Sequence, residues 1–192
     1  MNNALAALAA ASEWGIDAEI ARGVLGALKP ANMRGEILQF EKRFTVINDS
    51  YNSNPLALAS MVDLLAATPG YKRRILAAGE MRELGSTAAE LHREAGRHAA
   101  VKNIDWIIGV GGHARELANG AMMEDHPSEQ ALFFPTPEAA SAFLCELMTR
   151  GDLLLVKGSR GVHMEKIIEA LKSRFALVGG RPTVEAGGRK RN

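Results

Sequence analysis

One cysteine stands in 192 residues, which excludes an internal disulfide framework and fits a reducing cytoplasm. That residue, Cys145, lies in the amphipathic run from Ala140 to Met148 beside Phe143 and Leu147, so it reads as a small buried hydrophobe rather than a nucleophile. An excess of either charge is also missing. With 23 Lys and Arg against 22 Asp and Glu, the net charge of +1 creates no field that would draw nucleic acid or a membrane surface. The closing Arg189-Lys190-Arg191 is a local exception on a Gly-rich tail, and it reads as a solvated end. There is no charged-then-apolar leader, and no apolar run reaches the roughly 18 residues a membrane span needs. A soluble, cytoplasmic protein is expected. The five histidines (His92, His98, His113, His126 and His163) lack ligand spacing with Cys or a carboxylate, so no metal site is expected and each reads as structural or surface. The phosphate-binding sequence G-x-x-x-x-G-K-S/T is absent, so any ATP chemistry must take its phosphate cradle from outside this chain.

What is present is apolar and periodic. Hydrophobic residues make up 47% of the chain, enough for a full core. Residues 2 to 12 are rich in Ala, and a second short helix is predicted from a cap at Asp17 to about Leu28, where Lys29-Pro30-Ala31-Asn32 breaks it. Both segments are apolar on most sides and look built to pack on something larger. From Ile37 onward strand and helix patterns alternate. Strands are predicted at Ile37 to Phe40, Phe44 to Asn48, Arg74 to Ala78, Trp106 to Val110, Leu132 to Phe134 and Leu153 to Lys157. Helices are predicted near 55–67, 87–101, 113–123, 137–149 and 163–174. Asn54-Pro55 and Thr136-Pro137 each pair a cap with Pro at the first helical position, and Thr87-Ala88-Ala89-Glu90 has the form of a capping box. Such alternation argues for an α/β fold whose mostly parallel sheet carries helices on both faces, preceded by two short helices. The expected divisions are 1–36, 37–177 and a mobile Gly-rich tail at 178–192.

In open parallel sheets ligands bind beyond the carboxyl ends of the strands. Each strand here runs into polar or Gly-rich residues: Asp49-Ser50-Tyr51-Asn52, Gly79-Glu80-Met81, Gly109-Val110-Gly111-Gly112-His113 and Lys157-Gly158-Ser159-Arg160-Gly161. Glycine permits close backbone approach, while Lys157 and Arg160 supply charge for a carboxylate or phosphate. Any single loop is ordinary turn chemistry; four on one edge argue for a site. Gly109 to Ala114 also matches the dinucleotide pattern G-x-G-x-x-A. It follows a middle strand, however, and no acidic residue closes the next one, which ends Phe134-Pro135-Thr136.

Four ordered segments resemble the Mur ligase family. Asn48-Asp49-Ser50-Tyr51-Asn52-Ser53-Asn54-Pro55 resembles its D-x-Y-N-x-N-P segment, and Asn3-Ala4-Leu5-Ala6-Ala7 resembles the end of H-N-x-x-N-A-x-A-A. Gly79 to Gly85, followed by His92 and Gly96, resembles G-D/E-M-x-E-L-G…H-x-x-x-G, and Val156 to Glu165 resembles V-K-G-S-R-x-x-x-M-E. The similarity reaches to about Phe175. It lies with the branch that joins D-Ala-D-Ala to UDP-N-acetylmuramoyl-tripeptide in peptidoglycan synthesis. The resemblance implies a Rossmann-like C-terminal domain at 37–177, preceded at 1–36 by the end of a central ATPase domain. It implies ATP- and magnesium-dependent amide ligation, in which a peptide carboxylate becomes an acyl phosphate that the dipeptide amine attacks. Partners would be the N-terminal and central ligase domains, which hold most of the ATP and Mg2+ contacts. By the same resemblance Asn3, Arg34 and Asp49 would bind nucleotide, and Tyr51, Asn52, Asn54, Lys157, Ser159 and Arg160 would line the substrate face. No residue of this chain is assigned a catalytic role. Carboxylates suit vicinal hydroxyls and guanidinium suits phosphate, which agrees with those roles. The chain departs from the family by lacking the first His-Asn of the central-domain segment, the P-loop, the magnesium-binding Glu and His and the UDP-binding domain. Met33 stands before Arg34 where some members have Gly. This chain alone is therefore not expected to turn over ATP. A non-catalytic binding or regulatory module derived from such a ligase remains the alternative; an unrelated nucleotide-binding protein is disfavoured by four ordered segments.

Overall fold

The computed structural model describes residues 2–27 and 32–178, so the Lys29-Pro30-Ala31 break and the tail beyond Val178 lie outside the described residues. The chain divides into two compact units, Met1–Ala31 and Asn32–Asn192. The first holds α1 (Asn2–Glu13) and α2 (Ala18–Ala27). The predicted cap forms: Asp17 Oδ1 accepts the Glu19 N–H at 2.7 Å. Leu5, Trp14, Ile20 and Val24 are exposed in this unit.

The second unit is a six-stranded sheet in the order β1-β2-β6-β3-β4-β5. Its strands are β1 (Glu36–Gln39), β2 (Thr45–Asp49), β3 (Arg73–Gly79), β4 (Trp106–Val110), β5 (Ala131–Phe134) and β6 (Asp152–Lys157). Only β1 runs antiparallel to its neighbour; β2, β6, β3, β4 and β5 are parallel. The expected mostly parallel sheet is therefore observed. Five helices cover it: α3 (Pro55–Ala67), α4 (Ala88–Val101), α5 (Arg115–Met122), α6 (Pro137–Leu147) and α7 (Glu165–Arg174).

Strand residues sort onto two cores with a period of two, as pleated geometry requires. Val46, Ile75, Ala77, Ile108, Leu154 and Val156 join α6 and α7 in one core. Ile47, Leu76, Ala78, Ile107, Leu153 and Leu155 join α3, α4 and α5 in the other. Strands buried on both faces read as continuous apolar runs, which is why β6 is Leu-Leu-Leu-Val after its first residue. Cys145 is buried in the first core, and burial pushes its thiol pKa up. Among the described residues no helix is long and apolar enough to cross a membrane.

Asn54 caps α3 by accepting the Ala57 N–H, and Thr136 caps α6 by accepting the Ala139 N–H. The predicted capping box at Thr87 does not form. Residues Gly85–Thr87 make a 3-10 turn, and the Thr87 hydroxyl donates instead to the Leu84 carbonyl, so no side chain caps α4. The helix predicted near 163 starts later as well. Arg160–Val162 form a second tight turn and His163 adopts φ 60, so α7 begins at Glu165.

α4 and α5 pack through glycines. A Cβ on Gly96 would lie 2.0 Å from the Leu117 carbonyl oxygen, and one on Gly120 would lie 2.0 Å from that of Arg93. Gly96 thus lets the two helix backbones touch.

Candidate functional site

Parallel pairing sets Asp49, the last residue of β2, directly opposite Lys157, the last residue of β6. Lys157 is 3% exposed, and its ammonium donates to Asp49 Oδ2 at 2.6 Å and to the Asn52 carbonyl at 2.8 Å. A buried ammonium needs this kind of partner set, since an unpaired one would change protonation state instead. Asp49 remains partly accessible, with 19% of its side chain exposed. Beneath the loop runs a second polar relay. The Asn48 amide donates to Glu36 across the β1–β2 pair at 2.8 Å, and the buried Ser50 hydroxyl donates to Asn48 Oδ1 at 2.6 Å. The loop that leaves β2 is therefore fastened from both neighbouring strands.

Tyr51 projects from this loop between two cations. The Arg34 guanidinium lies 4.1 Å from its ring centre and that of Arg160 lies 5.5 Å away. Hydrogen bonding from Arg34, then from Arg160, holds the phenol below the ordinary tyrosine range. Arg34 is brought there by the turn before β1, where the Tyr51 N–H donates to the Met33 carbonyl at 3.1 Å. Met33 adopts φ 63, a left-handed conformation that costs a non-Gly residue about 1 kcal/mol. That is the physical reason a relative would place Gly there.

The other loops join the same edge. Ser159 is 6% exposed, and its hydroxyl oxygen accepts the Arg82 N–H at 3.1 Å, tying the loop after β6 to the loop after β3. Gly161 leaves the space that the Arg82 guanidinium occupies, since a Cβ there would sit 2.4 Å from it. The loop after β3 is held by His92 on α4. This imidazole is fully buried, accepts the Met81 N–H at Nε2 (2.8 Å) and donates from Nδ1 to the Ala88 carbonyl (2.6 Å). Burial lowers its pKa, so it is a neutral strut. An open depression of about 470 Å³ lies on this side, lined by Glu80, Arg82, Glu83, Leu84 and His113 among others.

The Gly-rich loop after β4 is occupied by protein. Glu80 Oε1 accepts the His113 N–H at 2.9 Å, and its carboxylate fills the space over Gly112. Where a dinucleotide pyrophosphate would rest, the chain already supplies an anion. A second anion there would be repelled, which removes the physical basis for the G-x-G-x-x-A reading.

The structure thus brings Arg34, Asp49, Tyr51, Asn52, Lys157, Ser159 and Arg160 to the carboxyl edge of β2 and β6. Asn54 sits at the same loop, but its side chain is spent on capping α3. The Asn52 side chain accepts the Ser53 N–H at 2.9 Å. The side chain of Asn3 lies outside the described residues. Sequence reasoning did not single out Arg82; it read His92 as structural or surface and as part of the segment behind Gly79-Glu80-Met81, and the structure makes it a buried strut. Among the described residues no group of three or more His, Cys, Asp or Glu is placed to hold a metal ion.

Comparisons with known proteins give the family and the fold. Over 169 residues the chain is 31% identical to UDP-N-acetylmuramoyl-tripeptide--D-alanyl-D-alanine ligase of Bacillus subtilis, covering 88% of this chain and 37% of that protein. The Escherichia coli enzyme of the same name is 30% identical over 172 residues, covering 88% and 36%. A crystal structure of MurF from Acinetobacter baumannii superposes with a TM-score of 0.77 at 30% identity, over 89% of this chain and 37% of that one. The MurF ligase of Thermotoga maritima, solved in complex with ADP, gives a TM-score of 0.63 at 25% identity, over 77% and 32%. The chain spans a little over a third of the length of these curated relatives. The family model described as "Mur ligase, glutamate ligase domain" matches residues 33–160, which include all six strands of the sheet, and the chain belongs to the Mur ligase family.

Proposed function

We propose that this chain is the C-terminal part of a cytoplasmic ligase that joins D-Ala-D-Ala to UDP-N-acetylmuramoyl-tripeptide through an acyl phosphate in peptidoglycan synthesis. The observation that carries the reading is the convergence of Arg34 with Asp49, Tyr51 and Arg160 at the carboxyl edge of β2 and β6, the last three on segments that resemble the ligase. Residues 37–177 would be the C-terminal domain and 1–36 the end of the central ATPase domain. The donor set fits a nucleotide. Asp49 is a partly exposed carboxylate suited to ribose hydroxyls, and Arg34 offers a guanidinium fork to phosphate oxygens. Asn3 would face the adenine. The relatives' substrates and the ADP bound to one of them support the same assignment. Tyr51, Asn52, Asn54, Lys157, Ser159 and Arg160 form the proposed substrate face. They orient the reactants and close the site from one side, while ATP and Mg2+ are held mainly by domains outside these residues. In-line phosphoryl transfer needs positioning above all, so a domain that only closes the site still governs the rate.

The test is calorimetric titration of this chain with Mg-ATP, with and without D-Ala-D-Ala, beside an ATP hydrolysis assay. Binding no tighter than about millimolar and no hydrolysis are expected. Tight nucleotide binding, or turnover, would mean a phosphate site within this chain and would overturn the reading.

A further inference from the structure

Within the proposed substrate face Lys157 is buried and spends two of its three ammonium donors on the loop after β2, so it presents little to a ligand. We propose that Lys157 is a positioning residue for the nucleotide side of the site rather than a ligand of the dipeptide. The inference rests on the reading that Asp49 binds the nucleotide. Three observations support it. Lys157 is 3% exposed. Its ammonium spends bonds of 2.6 and 2.8 Å on Asp49 and on the Asn52 carbonyl, two points three residues apart on one loop. Its Cα is also held by sheet register opposite Asp49 and beside Ala78 of β3, so the stem has a fixed origin. A side chain anchored in a central strand and bonded at two points fixes both the rotamer of Asp49 and the path of the loop to Tyr51. Oδ2 of Asp49 faces the ammonium, leaving the rest of the carboxylate to accept from a ligand. Tyr51 and Arg160, by contrast, lie with the guanidinium 5.5 Å from the ring centre and are half-buried and exposed, respectively, on the same edge.

The experiment is steady-state ligation by the complete ligase carrying Lys157→Met, which keeps an unbranched buried stem and removes every donor. Loss of a charge-assisted bond should raise KM for ATP by about tenfold or more, while KM for D-Ala-D-Ala stays within about twofold. Lys157→Arg should recover part of the ATP effect. A rise confined to the KM for D-Ala-D-Ala would make Lys157 a dipeptide ligand and overturn the proposal. Failure of the parent reading looks different: the unsubstituted ligase would itself show no ATP-dependent joining. Should Lys157→Met fail to fold, NMR of the unsubstituted 192-residue chain decides. Lysine-ammonium correlations should show one Nζ shielded from exchange and close to Asp49 and Asn52. An ammonium exchanging as fast as the other lysines would overturn the proposal.

Discussion

Substituting Gly96 with Ala sets two effects of opposite sign against each other. Helix propensity alone favours Ala over Gly in a helix interior by about 1 kcal/mol. Gly96 lies within α4 and has no positive φ, so that gain is available. Packing opposes it. The added Cβ would sit 2.0 Å from the Leu117 carbonyl oxygen, 2.8 Å from its carbon and 2.9 Å from its Cα. All three are backbone atoms of α5, so no rotamer change can relieve the contact. The helices must separate by more than about 1 Å to restore an ordinary distance from 2.0 Å, and a gap of even about 1 Å forfeits a quarter to a half of each dispersion contact along the pair. Overpacking a close interface costs about 1–3 kcal/mol and occasionally more. The backbone contact puts Gly96 at the upper end, so the net loss should be about 2 kcal/mol. Urea unfolding of the 192-residue chain, followed by circular dichroism, reads this as a lower midpoint at unchanged slope. Adding Gly120→Ala should cost less than the sum of the two, because one separation relieves both clashes. A single variant as stable as the parent, or more stable, would show that α4 and α5 do not pack through their glycines.

Two further outcomes follow from the site. His92 is buried and its pKa is pulled below the ordinary value by desolvation, so the unfolded chain takes up that proton first as pH falls. The stability it contributes is whole above roughly pH 6.5 and is lost as pH drops from there toward its folded pKa; His92→Gln should therefore flatten the fall in urea midpoint on acidification, leaving the part due to His126, which burial also lowers. An unchanged pH slope would refute a neutral buried strut. Arg34→Ala should raise the Tyr51 phenol pKa toward its ordinary value, because the Arg34 hydrogen bond is the largest cause of its lowering; ultraviolet titration reads this directly with Tyr71 as the only other tyrosine, and an unshifted phenol would separate Arg34 from Tyr51 in solution.

The parts of this molecule that could be read from sequence are those set by neighbours along the chain. Strand–helix alternation needs only a period, and the caps at Asn54 and Thr136 need only four residues each, so both were legible. Thr87 met the same local rule and failed it, because a tight turn at Gly85 gave its hydroxyl the Leu84 carbonyl as a nearer partner. Convergence of Asp49, Tyr51 and Lys157 on one edge followed from parallel topology. Which of them bond to each other did not. The Lys157–Asp49 contact spans 108 residues and exists because β6 inserts between β2 and β3, an order that no local pattern states. What His92 holds was hidden for a similar reason, although its structural role was read. Its two partners, Met81 and Ala88, are backbone groups, and backbone groups leave no mark on side-chain identity.

That central insertion of β6 also decides how the edge behaves as a unit. Lys157 ties the β6 end to the loop after β2, and the Arg82 N–H bonded to Ser159 ties the loop after β3 to the loop after β6. Glu80 bonded to the His113 N–H then ties the loop after β3 to the loop after β4. Each of these three stitches uses a side chain from one loop and at least one backbone group from the next, so side-chain truncation at one position frees a neighbouring main chain as well. The tightest stitch is the Lys157 bond pair under the proposed nucleotide carboxylate; the loosest borders the open depression beside Arg82, where Arg82 and His113 are exposed. A rim rigid at one end and open at the other suits a surface that must hold one reactant in register while admitting a second. The segments resembling V-K-G-S-R and G-D/E-M-x-E-L-G are the two sides of that rim, and their shared hydrogen bond is a structural reason for a chain to carry them together.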